Sequence, residues 1–247
     1  MNAVTADGFA ASRPPARRLA ELDWARVRAE LDESGSAPLG RALSARECRG
    51  LVQAYDDAAL FRATIDMARH RFGSGQHRYF DYPPPDLVAG MRAAAYSQLL
   101  PTARDWAAKL ARPAPWPEEF EEWLGQCHAA GQRRPTPILL RYRAGDWNAL
   151  HRDLYGGLVF PLQVVICLDE PEVDFTGGEF LTVEQRPRAQ SRATVRRLAE
   201  GEGLVFTTCD RPVRSTRGWT AAPMRHGVSA LLSGTRHTLG LVLHDAT

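Results

Sequence analysis

A chain of 247 residues, 44% hydrophobic and 24% charged, suits one large globular domain, or one domain with a helical appendage. No run approaches the roughly eighteen apolar residues of a membrane span, and a net charge of +2 does not by itself imply a polyanionic partner. The four scattered cysteines (Cys48, Cys127, Cys167, Cys209) form no CxxC pair, which argues against a zinc ribbon or a disulfide framework.

In chain order, residues 1–20 read as a disordered tail with no charged-then-apolar leader, as expected of a cytoplasmic protein. Residues 21–134 read as mainly helical. Apolar residues recur at helical spacing over 22–31, and Ser44-Ala45-Arg46-Glu47 is a capping-box signature opening a helix to about Leu60. Residues 62–82 suggest one or two strands around Gly73-Ser74-Gly75. Pro83-Pro84-Pro85 ends that stretch, Asp86 is placed to cap a long helix to about Leu110, and a further helix is expected over 117–130. From residue 135 the pattern changes to short β-rich stretches at 138–142, 160–168, 179–183, 203–207, 224–228 and 238–244. Such strands predict an antiparallel sandwich or jelly roll over 135–247, in an α+β fold whose N-terminal helices cover one sheet of a single integrated domain.

The stretch Arg141–Asp153 carries the chemistry. In an extended strand, residues i and i+2 face the same way, so His151 and Asp153 would present an imidazole and a carboxylate to one point. His226, 73 residues beyond Asp153, can complete a facial two-histidine, one-carboxylate site from a neighbouring strand. Such a site leaves positions open for an oxo-acid and O2, as non-haem iron requires. Ten residues after His226, Arg236 and Thr238 share one strand face, where guanidinium and hydroxyl can hold a distal carboxylate. Tyr142, nine residues before His151, supplies a phenol for the same carboxylate. His70, His77, His128, His237 and His244 read as surface or core histidines.

This order and spacing resemble the iron(II)/2-oxoglutarate oxygenase superfamily. The stretch Arg141–Asp153 is especially similar to AlkB-type nucleic-acid demethylases. Residues 138–246 look like a bacterial family of 2-oxoglutarate oxygenases often described as acting on damaged nucleic acid. The hallmarks are His151-Arg152-Asp153-Leu154-Tyr155-Gly156, Phe160-Pro161-Leu162-Gln163-Val164, Asp174-Phe175-Thr176-Gly177-Gly178-Glu179-Phe180 and Arg225-His226-Gly227-Val228-Ser229. The resemblance implies a double-stranded β-helix, iron(II) on His151, Asp153 and His226, 2-oxoglutarate anchored by Tyr142, Arg236 and Thr238, and O2 as co-oxidant. Leu140 and Val242 stand where AlkB enzymes carry an asparagine and a second arginine, so the oxo-acid pocket looks more like that of prolyl hydroxylases.

Substrate contacts are expected from Arg152, Tyr155 and Trp219, the last stacking on a base or capping an apolar pocket. Eight arginines against three acids between Arg186 and Arg217 either bind phosphates or form a solvated surface on connections between strands. Residues 71–82 either form a lid or pack on the sheet. The substrate is a nucleobase or nucleic acid, or else an amino acid, peptide or small metabolite. A non-catalytic, cupin-like metal protein is a third reading, and the sequence leaves the oligomeric state open.

Overall fold

The computed structural model of the protein describes residues 14–70, 73–186 and 189–247. The first helix among the described residues is α1 (Pro15–Ala20), which corrects the reading of those residues as disordered. Leu19 is fully buried, Trp24 Nε1 donates to its carbonyl at 2.9 Å, and Arg18 pairs with Glu47. A lone leucine in an arginine-rich run gives no periodic signal; its partners come from distant elements. Residues 1–13 of the expected tail lie outside the described residues.

Helix α2 (Trp24–Ser34) starts where the Asp23 carboxylate accepts from Arg26 N and ends at Gly35, whose φ of 74° suits glycine. The capping box at Ser44 and Glu47 opens α3 (Ala45–Ala54) as its signature predicts. That helix stops short of Leu60, because Asp57 instead caps a separate 3-10 turn (Ala58–Leu60) by accepting from Ala59 N. Pro85, not Asp86, is the cap residue of α4 (Asp86–Lys109); Asp86 lies in the first turn, favourably placed for the helix dipole. Helix α5 (Phe120–Ala129) completes the helical set, and no helix among the described residues is long and apolar enough to cross a membrane.

The strands of the first half are β1 (Ser36–Arg41), β2 (Phe61–Asp66), β3 (Gly73–Ser74) and β4 (Gln76–Phe80). Next come β5 (Ile138–Arg143), β6 (Trp147–His151), β7 (Leu162–Cys167), β8 (Phe175–Gly177) and β9 (Phe180–Glu184). The last are β10 (Arg192–Arg196), β11 (Glu202–Thr207), β12 (Asp210–Ser215), β13 (Gly218–Val228) and β14 (Leu231–Val242). The major sheet runs β1-β11-β7-β14-β5-β4-β2 and the minor sheet β10-β9-β13-β6-β3, all antiparallel, in a jelly roll. Strands β1, β2 and β4 from the mainly helical half thus extend the major sheet at both ends. Strands β10 and β12 correct the expectation that the arginines between Arg186 and Arg217 lie on connections between strands. Both pair along one side only; exposed arginines mask the β signal of β10, while on β12 Arg211 is buried against Glu184.

The period-two alternation of the major sheet divides the interior. Leu139, Ile166, Leu239 and Leu241 join the core formed with the helices, beside Tyr96, Trp106 and Trp123. On the opposite face Tyr142, Val165 and Cys167 meet Phe180, Phe206 and Val228 of the jelly roll. Arg236 and Thr238 fall on that second face, so the backbone that buries the leucines also turns them into the barrel.

Candidate metal and cosubstrate site

Strand β13 pairs with β6 so that His226 lies directly opposite His151, at a register break before Val228. The backbones approach so closely there that a Cβ on Gly227 would lie 2.7 Å from the Asn148 carbonyl oxygen. His151 Nδ1 is 2.7 Å from the Ala149 carbonyl, which leaves Nε2 facing Asp153 Oδ1 at 3.5 Å. His226 Nε2 lies 3.1 Å from Asp153 Oδ2, and the donor atoms of the three residues are all within 4.8 Å of one another.

Asp153 lies beyond the end of β6, so strand alternation does not aim it. Two side chains do: Tyr155 Oη donates to Oδ1 at 2.7 Å and Gln163 Nε2 to Oδ2 at 2.8 Å. Burial alone would raise the Asp153 carboxyl pKa, but the imidazoles of His226 and His151 outweigh it and hold it well below the usual carboxylate range. Burial lowers the pKa of His226 despite the nearby carboxylate. At His151 the burial effect is outweighed by the Asp153 contacts, and the pKa rises. A buried anion beside two converging imidazole nitrogens suits a divalent cation. Of the two histidines, only His151 has an acceptor for its second ring nitrogen, the Ala149 carbonyl. His226 Nδ1 is buried without a partner among the described residues, its ring flanked by Phe180 and Phe206.

Arg236 on β14 lies opposite Tyr142 on β5. It is 3% exposed, yet no carboxylate of the described residues pairs with it; its guanidinium carbon lies 5.7 Å from the Phe175 ring and 6.0 Å from that of Tyr142. A buried guanidinium without a counter-charge is costly, so this end of the site suits a carboxylate brought by a ligand. Tyr142 is fully buried and its hydroxyl accepts from Asn148 Nδ2 at 3.3 Å; burial pushes its pKa up to about 12, so the phenol keeps its proton. Thr238, also buried, follows on the same face.

One cavity of about 380 Å3 joins both ends, within the range of small-molecule sites. Its lining contains all six residues expected to hold metal and oxo-acid. Arg152 and Tyr155 line it as well, Arg152 from an exposed position. Trp219 does not, which corrects its expected role at the substrate. It stands between Arg214, its cross-strand neighbour at 4.1 Å, and Lys109 of α4 at 4.8 Å, a position set by packing that the sequence does not show. His77, read as a surface or core histidine, lines the cavity from β4 together with Tyr79, while Ile65 lines it from β2. The described part of 71–82 therefore both packs on the sheet and walls the cavity. His237 meets Asp169 and His128 meets Asp245, while the side chain of His70 lies outside the described residues. Sequence reasoning missed Asn148, Gln163 and Tyr79. Gln163 had a signal: an amide within an otherwise apolar, fully buried strand needs a partner.

Residues 75–246 match a family described as "Oxygenase, catalysing oxidative methylation of damaged DNA". Uncharacterised proteins of two Mycobacterium tuberculosis strains, CDC 1551 / Oshkosh and H37Rv, are each 59% identical over 167 residues, covering 68% of this chain and 72% of theirs. Among solved structures, a Pseudomonas putida prolyl-4-hydroxylase superposes with a TM-score of 0.52 at 17% identity, over 88% of this chain and 96% of its own. A 2OG-Fe(II) oxygenase family oxidoreductase from Burkholderia pseudomallei gives 0.51 at 16% identity, over 92% and 94%. These two likenesses establish the shared jelly-roll fold. The family match removes the non-catalytic reading. The chain belongs to this oxygenase family, and its converged His-Asp-His group could hold a metal ion.

Proposed function

We propose that His151, Asp153 and His226 hold the iron(II), that Arg236, Tyr142 and Thr238 anchor the distal carboxylate of 2-oxoglutarate, and that the substrate is an alkylated base in nucleic acid. One observation carries the assignment of both ligands: a converged His-Asp-His set and a buried, carboxylate-free arginine share one cavity. The four cysteines are free, which fits a reducing cytoplasm as the place of action.

Iron(II) with 2-oxoglutarate and O2 supplies the oxidising chemistry that hydroxylates a substrate C–H bond while the oxo-acid becomes succinate and CO2. The protein binds, orients and excludes water. Arg236 supplies the counter-charge and Asn148 orients the Tyr142 hydroxyl beside it. Asp153 stays anionic, so it needs no proton loss before it meets a cation. Phe180 and Phe206 shield one side of the His226 ring, and Met67 and Ile65 close the cavity from the β2 side.

The base reading rests on the family description, and on Tyr79 and His77, whose rings in the cavity wall suit a planar guest. Leu140 and Val242, both lining the cavity at the AlkB departures, favour a second reading, hydroxylation of an amino-acid or peptide residue. Incubation with methylated single- and double-stranded DNA and RNA, peptides and amino acids, read by succinate and by product mass, separates the two. The first reading expects loss of a methyl group from nucleic acid. An added oxygen on a peptide or amino acid, with nucleic acid unchanged, would overturn it.

A further inference from the structure

Asp153 is the ligand with the least backbone support, since it follows the last residue of β6, yet both of its oxygens are engaged by neutral donors. Tyr155 takes Oδ1 and Gln163 takes Oδ2, each below 3 Å, so the plane and rotation of the carboxylate are fixed before any cation arrives. Resting on the assignment of iron to His151, Asp153 and His226, we infer that Tyr155 and Gln163 are positioning residues for this ligand. Tyr79 adjoins Tyr155 from the cavity wall.

Tyr155 was expected to meet substrate, but its proton is committed to Asp153. Its own backbone is anchored from the helical side. A Cβ on Gly156 would lie 2.3 Å from the Gln132 side chain, so only glycine lets that amide approach. Gln132 then accepts from Leu158 N at 2.7 Å and donates to the Leu158 carbonyl at 2.9 Å, and Thr247 N donates to the Tyr155 carbonyl at 3.1 Å. Gln163 is held by β7, paired on both sides by β11 and β14. The two donors therefore come from independently braced segments and meet on one carboxylate. Beyond Tyr155, the Tyr79 hydroxyl donates to its oxygen at 3.4 Å, and the rings stand edge to face at 88°. Arg62 lies 4.6 Å over the Tyr79 ring.

Loss of an outer partner of a metal ligand typically costs 10–100-fold in metal affinity. The test is calorimetric titration of the metal-free protein with Mn(II), without oxo-acid, on wild type, Asp153→Ala, Tyr155→Phe, Gln163→Met and Tyr79→Phe. Tyr155→Phe and Gln163→Met are each expected to weaken Mn(II) roughly tenfold or more, with the metal-free melting temperature unchanged. Tyr79→Phe, which leaves the Tyr155–Asp153 bond intact, is expected to stay within about twofold of wild type, well below the range for a direct partner. Wild-type affinity in both Tyr155→Phe and Gln163→Met would overturn the inference. So would unfolding of both without metal, because the bonds would then serve the fold. Failure of the metal assignment itself looks different: wild type would not bind Mn(II), or Asp153→Ala would bind it equally well.

Discussion

His226 on β13 and His151 on β6 are cross-strand partners whose ring centroids lie 4.2 Å apart, and the close approach of the two backbones at Gly227 is what lets both reach Asp153. The proposed metal site is therefore a property of strand register, and a one-methyl change beside it is expected to disturb it.

Gly227→Ala would place its Cβ against the carbonyl oxygens of Asn148 and Ala149, at 2.7 and 3.1 Å. Relief requires β6 and β13 to separate, at about 1–3 kcal/mol of folding stability. Metal affinity should fall with it. Thermal melting and Mn(II) titration check both, and a variant with wild-type values in each would show that the strands tolerate the methyl group.

Arg236→Ala removes the only cation found at the oxo-acid end of the cavity among the described lining residues other than Arg152 at the mouth. A buried charged pair is worth about 2–5 kcal/mol, so 2-oxoglutarate affinity should drop roughly 30- to several-thousand-fold. Arg236→Lys should recover only part, because an ammonium lacks the two-pronged geometry. Unchanged apparent affinity in Arg236→Ala would move the oxo-acid elsewhere.

His244 gives a pH dependence of stability in the metal-free protein. Burial, then the positive charge of Arg92, lowers its pKa from 6.5 to about 4, and its Nδ1 accepts from Phe160 N at 3.3 Å. Between pH 6.5 and about 4 the unfolded chain takes up a proton that the folded chain refuses, so folding stability falls as the pH falls through that window. The full effect is about 3 kcal/mol, with no contribution from this group above the window. Urea titrations of wild type and His244→Phe at several pH values test it. Equal slopes against pH in the two proteins would contradict the assignment.

Arg92 and Asp245 form a buried pair at 2.7 Å between α4 and the C-terminus, and Asp245 also meets Tyr82 and His128. Arg92→Leu leaves that carboxylate short of its cation and should cost about 3–5 kcal/mol in denaturant unfolding. Adding Asp245→Asn should restore part of the loss. A single variant within 1 kcal/mol of wild type, on the order of an exposed pair, would show that Tyr82 and His128 suffice.

The chemistry was legible where it depended on strand period and residue type. Arg236 and Thr238 could be placed on one face from alternation, His226 and Tyr142 only from their spacing to His151 and Asp153, and the capping box of α3 was readable from four letters. Asp153 was identified for a reason that does not hold, since it follows the strand; its aim comes from Tyr155 and Gln163, contacts that depend on side-chain rotation. Trp219 was misplaced because a tryptophan on a hairpin reveals its ring, not that Lys109 and Arg214 enclose it. Strand β10 was hidden because arginines are as natural on an exposed strand edge as in a loop, and β12 because the Glu184 partner that lets Arg211 be buried lies 27 residues away. The local rules fixed faces; long-range packing fixed neighbours.

The most direct measurement of the central claim is anaerobic addition of iron(II) and 2-oxoglutarate to wild type, His226→Ala and Arg236→Ala, followed by iron stoichiometry and the visible charge-transfer band of the complex. Wild type should bind one iron per chain and show the band, His226→Ala should show neither, and Arg236→Ala should keep the iron but need far more oxo-acid to develop the band. A band of wild-type intensity in His226→Ala, or none in wild type, would contradict the account.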